Sequence, residues 1–298
     1  MASGVLCALL VGEGALRVLE PYIPPPSPWP TVETQVKSAQ LVTLSHEVDV
    51  VLLGSSVTEA AVDPELLGVT GKGVAYNSAL PFSTPLSNEV WLDEVVLEHV
   101  SPSIVIIGVP AWPPHTTIER DPMRIGTQEA LIRISNPTAS GLLALVRNKG
   151  VLANWDERWV GQGLSSSDLW TDLGHMIGYY DGPTRTLSGR FQPFGVPRMS
   201  NDNLAAMIRT VKALTQAGTT VVLMIEPGEF PGEVSNADTA TYLESIKDLG
   251  RDLNVPVWDT YSMGWNPDYY VDEAHFNREG TVAFTTHVAG LLVDLDIG

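Results

Sequence analysis

Two short stretches of this chain hold residues that can do covalent chemistry. VVLLGSSVTEA, residues 50–60, is an apolar run that stops at a glycine and two serines. YYVDEAHFNREG, residues 269–280, stands near the other end of the chain. A serine hydroxyl is a poor nucleophile at neutral pH until a base takes its proton. The base in turn needs a carboxylate to hold its tautomer and stabilise the imidazolium. Asp272 and His275 are three residues apart, so one short turn can hold the carboxylate against one ring nitrogen and leave the other nitrogen for Ser56. Ser56, His275 and Asp272 are therefore the candidate catalytic residues for acyl transfer. The competing reading is that Ser55 or Ser56 only caps the helix that follows, because serine is a common N-cap. Asp-x-x-His is unspecific by itself. Its pairing with a strand-end Gly-Ser-Ser at the far end of an α/β chain carries more. The other five histidines (His46, His99, His115, His175 and His287) read as structural. A metal site through Asp272 and His275 lacks a third-ligand motif such as H-E-x-x-H, and GSSVTEA lacks the lysine of a phosphate loop. No metal and no cofactor are expected.

The elements that must position these residues follow from periodicity. Apolar runs at 49–54, 73–77, 104–109, 219–225 and 256–259 read as strands. SIVIIGV and TVVLMI are apolar at nearly every position, as parallel strands buried on both faces are. Helical patterns lie between them at 85–100, 203–217, 237–253 and 278–295. Asp202 and Asn277 are candidate N-caps, and Gly218 is a candidate left-handed C-cap. Strands alternating with helices predict a doubly wound parallel sheet whose ligands bind at the carboxyl ends of its strands. The last residues of the first strand and the loop before the last helix should then meet at one edge.

Residues 111–200 break this rhythm and read as a helical and loop insertion after the third strand, lying over the carboxyl edge. It carries Trp112, Trp155, Trp159 and Trp170. These pack locally or wall a pocket for a sugar ring or acyl chain. The domain plan is an apolar helix and candidate membrane anchor at 1–21, a proline-rich linker and lead-in at 22–48, and one catalytic domain at 49–298.

Seventeen basic against 35 acidic residues give a net charge of −18. That charge disfavours nucleic acid and anionic membrane surfaces as partners. The one cysteine, Cys7, excludes an internal disulfide and a multi-cysteine zinc site. The segment 4–19, GVLCALLVGEGALRVL, is shorter than a standard span of ~20 residues and contains Glu13 and Arg17. It is followed by YIPPPSPWP, a stiff proline spacer. The pair reads as an anchor or signal segment with its spacer, which places the protein at the cell surface or exports it. The alternative is an amphipathic helix packed on a cytoplasmic domain.

GSSVT together with DEAHFN resembles the SGNH/GDSL hydrolase family, in the branch where the usual Gly-Asp-Ser opens as Gly-Ser-Ser. Ser55 stands where the family has Asp, Ser56 matches the nucleophile, and Asp272 and His275 match the terminal block. The resemblance covers about 50–295 outside the insertion. It implies a three-layer α/β/α flavodoxin-like fold and a Ser-His-Asp triad acting on esters. The middle blocks depart from the pattern. YNSALPFST places Phe82 at the glycine whose backbone N–H helps form the oxyanion hole, and that N–H survives the change. IIGVPAW places Pro110 at or near the Asn that supplies a side-chain donor. Proline has neither an amide side chain nor a backbone N–H. Loss of one such donor costs about 2.7–4 kcal/mol of transition-state stabilisation. Ser56, Phe82 and Trp112 are the oxyanion and substrate-binding candidates. Some relatives with membrane anchors and Gly-Ser-Ser openings are O-acetyltransferases or deacetylases acting on polysaccharides.

Three functions remain open at this point. The first is a serine esterase or deacetylase acting on a small-molecule or carbohydrate ester through a covalent acyl-enzyme. The second is an O-acyltransferase using the same triad on a carbohydrate. The third is a catalytically idle binding domain on the same scaffold, for which the missing Asn speaks and against which the intact triad speaks.

Overall fold

The computed structural model describes residues 28–44, 47–68, 73–81, 83–111, 173–175, 199–228, 236–272 and 274–295. Five strands form one sheet: β1 (Val48–Leu53), β2 (Val74–Asn77), β3 (Ile104–Val109), β4 (Thr220–Ile225) and β5 (Val257–Asp259). All neighbours are parallel, in the order β2-β1-β3-β4-β5. That is the flavodoxin-like order, with its switch point beside β1. The observed strands coincide with the five apolar runs to within one residue at each end.

The apolar runs are continuous because both faces of the sheet are covered. Val51, Leu53, Val105, Ile107, Leu223 and Ile225 share one core cluster. Val50, Leu52, Ile104, Ile106, Val222 and Met224, alternating with them, share the other. Successive side chains in a strand point to opposite faces, so one run feeds two cores. The first core is closed by α1 (Pro28–Leu44), by α5 (Asn201–Gln216) and α6 (Asn236–Leu253), and by a helix that runs α-helical over Pro85–Trp91 (α4), π-helical over Leu92–Val96 and α-helical again over Leu97–His99. The second is closed by α2 (Ser56–Ala61), α3 (Pro64–Gly68) and α7 (Arg278–Val293). This is the expected three-layer arrangement.

Three local features differ from the sequence reading. Residues 28–44, assigned to linker and lead-in, form α1. Pro28 and Pro30 fall in its first turn, where the missing N–H groups have no helical partner to lose. Glu33, Thr34, Lys37 and Leu41 of α1 are fully buried. The N-cap of α5 is Ser200, whose hydroxyl accepts from Asn203 N–H at 3.3 Å, and not Asp202. Asp202 lies in the first turn, where a carboxylate faces the positive end of the helix. Helix 85–100 holds a π-turn, which periodicity does not disclose. Asn277 caps α7, accepting from Gly280 N–H at 3.0 Å, and Gly218 ends α5 at φ +87°. A Cβ at Gly218 would meet nothing within 4 Å, so the backbone conformation alone selects glycine there. No described helix is long and apolar enough to cross a membrane, and residues 1–27 lie outside the described residues.

Candidate active site

Ser56 opens α2 at the carboxyl end of β1. Ser55 is the N-cap in extended conformation, and its hydroxyl accepts from Val57 N–H at 3.1 Å. Ser55 is thus the cap, and Ser56 is left at the first helical position with its side chain half-buried. His275 Nε2 stands 2.9 Å from Ser56 Oγ.

The loop that carries His275 is braced on itself. Tyr270 and Phe276 form an antiparallel bridge, with Val271 N–H donating to His275 O at 2.9 Å and Asn277 N–H to Tyr269 O at 2.7 Å. Their rings lie 4.6 Å apart, and Phe276 also meets Phe284 of α7 at 5.4 Å. Inside this loop Asp272 Oδ1 accepts from the backbone N–H groups of Ala274 (2.9 Å) and His275 (2.8 Å). Both carboxylate oxygens stand 2.9 Å from His275 Nδ1. Burial works to raise the Asp272 carboxyl, but the hydrogen bond and charge of His275 and the two backbone donors outweigh it and hold it below its ordinary value. An ionised Asp272 has no proton to give, so in the neutral ring the hydrogen belongs on Nδ1 and the lone pair of Nε2 faces the Ser56 hydroxyl.

Helix α7 ties the two ends of the chain together. Thr281 Oγ1 donates to Ala60 O at 2.8 Å, and Thr285 Oγ1 donates to Ala61 O at 3.3 Å and accepts from Asp63 N–H at 3.0 Å. The last turn of α2 is therefore seated on the helix that follows the His275 loop. Asn77, at the end of β2, places Nδ2 2.8–3.2 Å from the Thr58, Glu59 and Val62 carbonyls, its two hydrogens shared among the three. It helps satisfy the carbonyls at the C-terminal end of this six-residue helix.

Sequence reasoning missed two groups behind the serine. Glu226, the residue after β4, is buried and accepts from Ser55 N–H (3.0 Å), Thr58 Oγ1 (2.6 Å) and the Ser55 hydroxyl (2.9 Å). The sequence shows only an acidic residue directly after TVVLMI, at the edge where sheets of this kind bind ligands, and not the partners it meets there. Lys37 of α1 reaches Glu59 of α2 at 3.2 Å, Glu33 at 3.1 Å and also the Ala79 carbonyl, all fully buried. Burial first, then the charge of Glu59, holds the Glu33 carboxyl well above its usual range. The Glu33–Lys37 spacing of four residues, the helical ion-pair spacing, was the readable signal for α1.

The oxyanion candidates are divided. The Ser56 N–H lies in the first turn of α2, where no preceding helical turn supplies an acceptor. Phe82 and Trp112 lie outside the described residues, as do Trp155, Trp159 and Trp170. Leu80 N–H (3.2 Å) and the Ser83 hydroxyl donate to Gly54 O, which sets Leu80 and Ser83 against the carboxyl end of β1. Pro110 follows β3, and its carbonyl accepts from Tyr242 Oη at 3.0 Å. It offers no donor in place of the Asn. Within the insertion the described residues include Leu173–His175: Leu173 O accepts from Asn77 N–H at 2.9 Å, at the carboxyl end of β2, and the buried His175 ring has Nδ1 3.3 Å from Glu59 O. Among the described residues no group of three or more His, Cys, Asp or Glu side chains forms a metal-ligand set.

No protein-family model matches the chain, and no curated protein does. Solved structures similar in shape include a candidate acylhydrolase from Bacteroides fragilis, with 14% identity, covering 87% of this chain and 96% of that one at a TM-score of 0.47. A GDSL-like lipase from Bacteroides thetaiotaomicron matches with 13% identity, 87% and 98% coverage and a TM-score of 0.46. An acetylxylan esterase from Geobacillus stearothermophilus matches with 11% identity, 85% and 97% coverage and a TM-score of 0.43. These are likenesses of overall shape; the chemistry of the site lies in its own geometry.

Proposed function

We propose that this chain is a serine ester hydrolase of the SGNH type, removing small acyl groups from a small-molecule or carbohydrate ester. The observation that carries the reading is the unbroken series Ser56 Oγ to His275 Nε2 to Asp272, with 2.9 Å at each step. His275 takes the Ser56 proton as Oγ attacks the acyl carbon, and the carbonyl oxygen becomes an oxyanion facing the Ser56 N–H. As the carbon–oxygen bond to the leaving alcohol breaks, His275 returns that proton to it, leaving Ser56 acylated. Water then attacks with His275 again as base, and the carboxylic acid leaves as Ser56 recovers its proton. Asp272 keeps its charge throughout and stabilises the imidazolium. The apolar segment 4–19, followed by prolines before α1, supports attachment at the cell surface.

Transfer of the acyl group to a sugar hydroxyl uses the same groups, so the acceptor decides between esterase and transferase. The test is p-nitrophenyl acetate turnover with and without an added oligosaccharide. Acetate release without sugar is the expected result. Turnover that appears only with sugar, with the acetyl group found on it, replaces hydrolysis by transfer. No turnover under either condition favours the idle binding domain.

A further inference from the structure

We propose that Glu226 is a positioning residue for the Ser56 nucleophile, acting through the backbone on either side of it. The inference rests on the reading of Ser56 given above. One buried carboxylate collects the whole turn. It accepts Ser55 N–H at 3.0 Å and Thr58 Oγ1–H at 2.6 Å through Oε1. The Ser55 hydroxyl stands 2.9 Å from Oε2 and 3.0 Å from Oε1, and its single proton is donated to one of them. The same hydroxyl accepts Val57 N–H at 3.1 Å. Ser55, Val57 and Thr58 are thus held by Glu226 directly or through one atom, while Ser56 Oγ between them is left to His275.

The surroundings are cut to admit this carboxylate. A Cβ on Gly54 would stand 3.0 Å from Glu226 Oε1 and 2.4 Å from Thr58 Oγ1. A Cβ on Gly108 would stand 2.7 Å and 2.0 Å from the same atoms. The residue after β1 and one in β3 therefore carry no side chain where the carboxylate meets Thr58. From behind, Glu226 N–H donates to Val109 O at 2.8 Å, so its own backbone is fixed to β3. Burial raises the carboxyl above its ordinary value, against the hydrogen bonds from Thr58 and Ser55. A carboxylate kept in such a place by uncharged donors is costly to bury. It brings acceptor capacity for three donors at once, on the loop whose geometry the chemistry needs most.

Small displacements of a nucleophile are expensive in rate: an error of about 1 Å can cost about 10²-fold. The test compares Glu226→Gln and Glu226→Ala with the wild-type chain. It follows p-nitrophenyl acetate kinetics, the rate and endpoint of fluorophosphonate labelling, and thermal unfolding. The endpoint counts folded sites, so each rate is expressed per site. Glu226→Ala is expected to lose about 10²-fold in kcat with KM unchanged, and labelling should slow in parallel. Glu226→Gln keeps one carbonyl acceptor for Ser55 N–H and Thr58, and should fall between the two. Wild-type rates per site in both variants overturn the proposal, and so does a loss that vanishes once unfolded chains are discounted. Failure of both variants to fold assigns Glu226 to stability and overturns it as well. If only the alanine variant fails to fold, the glutamine variant decides. A wild-type chain that takes no label and turns over no ester removes the hydrolase reading, and this proposal with it. A labelled wild type with full-rate variants removes this proposal alone.

Discussion

Ser56 Oγ stands 2.9 Å from His275 Nε2, and one residue earlier Ser55 Oγ stands 2.9 Å from Glu226 Oε2. The two hydroxyls are chemically alike, and only their partners separate the proposed nucleophile from the cap. In the proposed mechanism Ser56→Ala removes nearly all turnover. Ser55→Ala loses much less, on the scale of an N-cap at about 1 kcal/mol, because Glu226 still holds Ser55 N–H and Thr58. Equal loss in two folded variants, measured by p-nitrophenyl acetate turnover, would overturn that assignment. Asp272→Asn should leave the fold in place and depress kcat by about 10⁴-fold, since the ring loses the partner that fixes its tautomer. The pH dependence of stability has a definite sign here. The folded Asp272 carboxyl sits below its unfolded value of about 3.9. Its contribution is therefore fully present above about pH 4 and is lost as pH falls through the lower folded value. Urea unfolding at successively lower pH should show that loss in the wild type and not in Asp272→Asn.

At the scale of elements, α1 is the addition to the sequence reading. Its Lys37 is fully buried between Glu33 of its own helix and Glu59 of α2, the helix that Ser56 opens. Removing one partner of a buried pair leaves an uncompensated charge, so Lys37→Ala should destabilise the chain by about 3–5 kcal/mol in urea unfolding. Glu33→Gln should be far milder, because burial and Glu59 already favour the protonated form of Glu33. The sign at Glu33 is opposite to that at Asp272. A folded value above the unfolded one of about 4.3 makes stability greatest below that pH and lets it decline as pH rises toward the folded value. Glu33→Gln should flatten that decline, and a variant whose decline matches the wild type contradicts the assignment. Composition makes residues 28–44 read as linker and lead-in, because prolines dominate the stretch before them. Proline is an N-terminal helix residue as readily as a spacer. The i, i+4 pair Glu33–Lys37 is invisible as a core feature until α2 supplies its third member.

Across the whole molecule the sheet was the most legible part. Continuous apolar runs identify parallel strands because both faces are buried, and alternation with helices leaves few topologies. That reasoning placed the ends of β1 and the loop before α7 at one edge. The structure brings Ser56 and His275 together there across 219 residues of chain. Asp272 was legible for a local reason, since a three-residue spacing closes its own turn. Glu226 was not, because its partners lie 168 and 171 residues away and nothing near it in sequence announces them. Asn77 was read only as the end of a strand, and its role under α2 depends on packing that no periodicity carries. The caps divided in the same way: Asn277 follows from its own helix, whereas Ser200 and Asp202 are both competent, and backbone geometry chooses between them. The measurement that tests the central claim most directly is mass-mapped labelling by a fluorophosphonate of the wild-type chain, Ser56→Ala and His275→Ala. The account predicts one adduct per chain on Ser56, none in Ser56→Ala, and labelling slowed by orders of magnitude in a folded His275→Ala. An adduct elsewhere, or a wild type that labels no faster than His275→Ala, would contradict it.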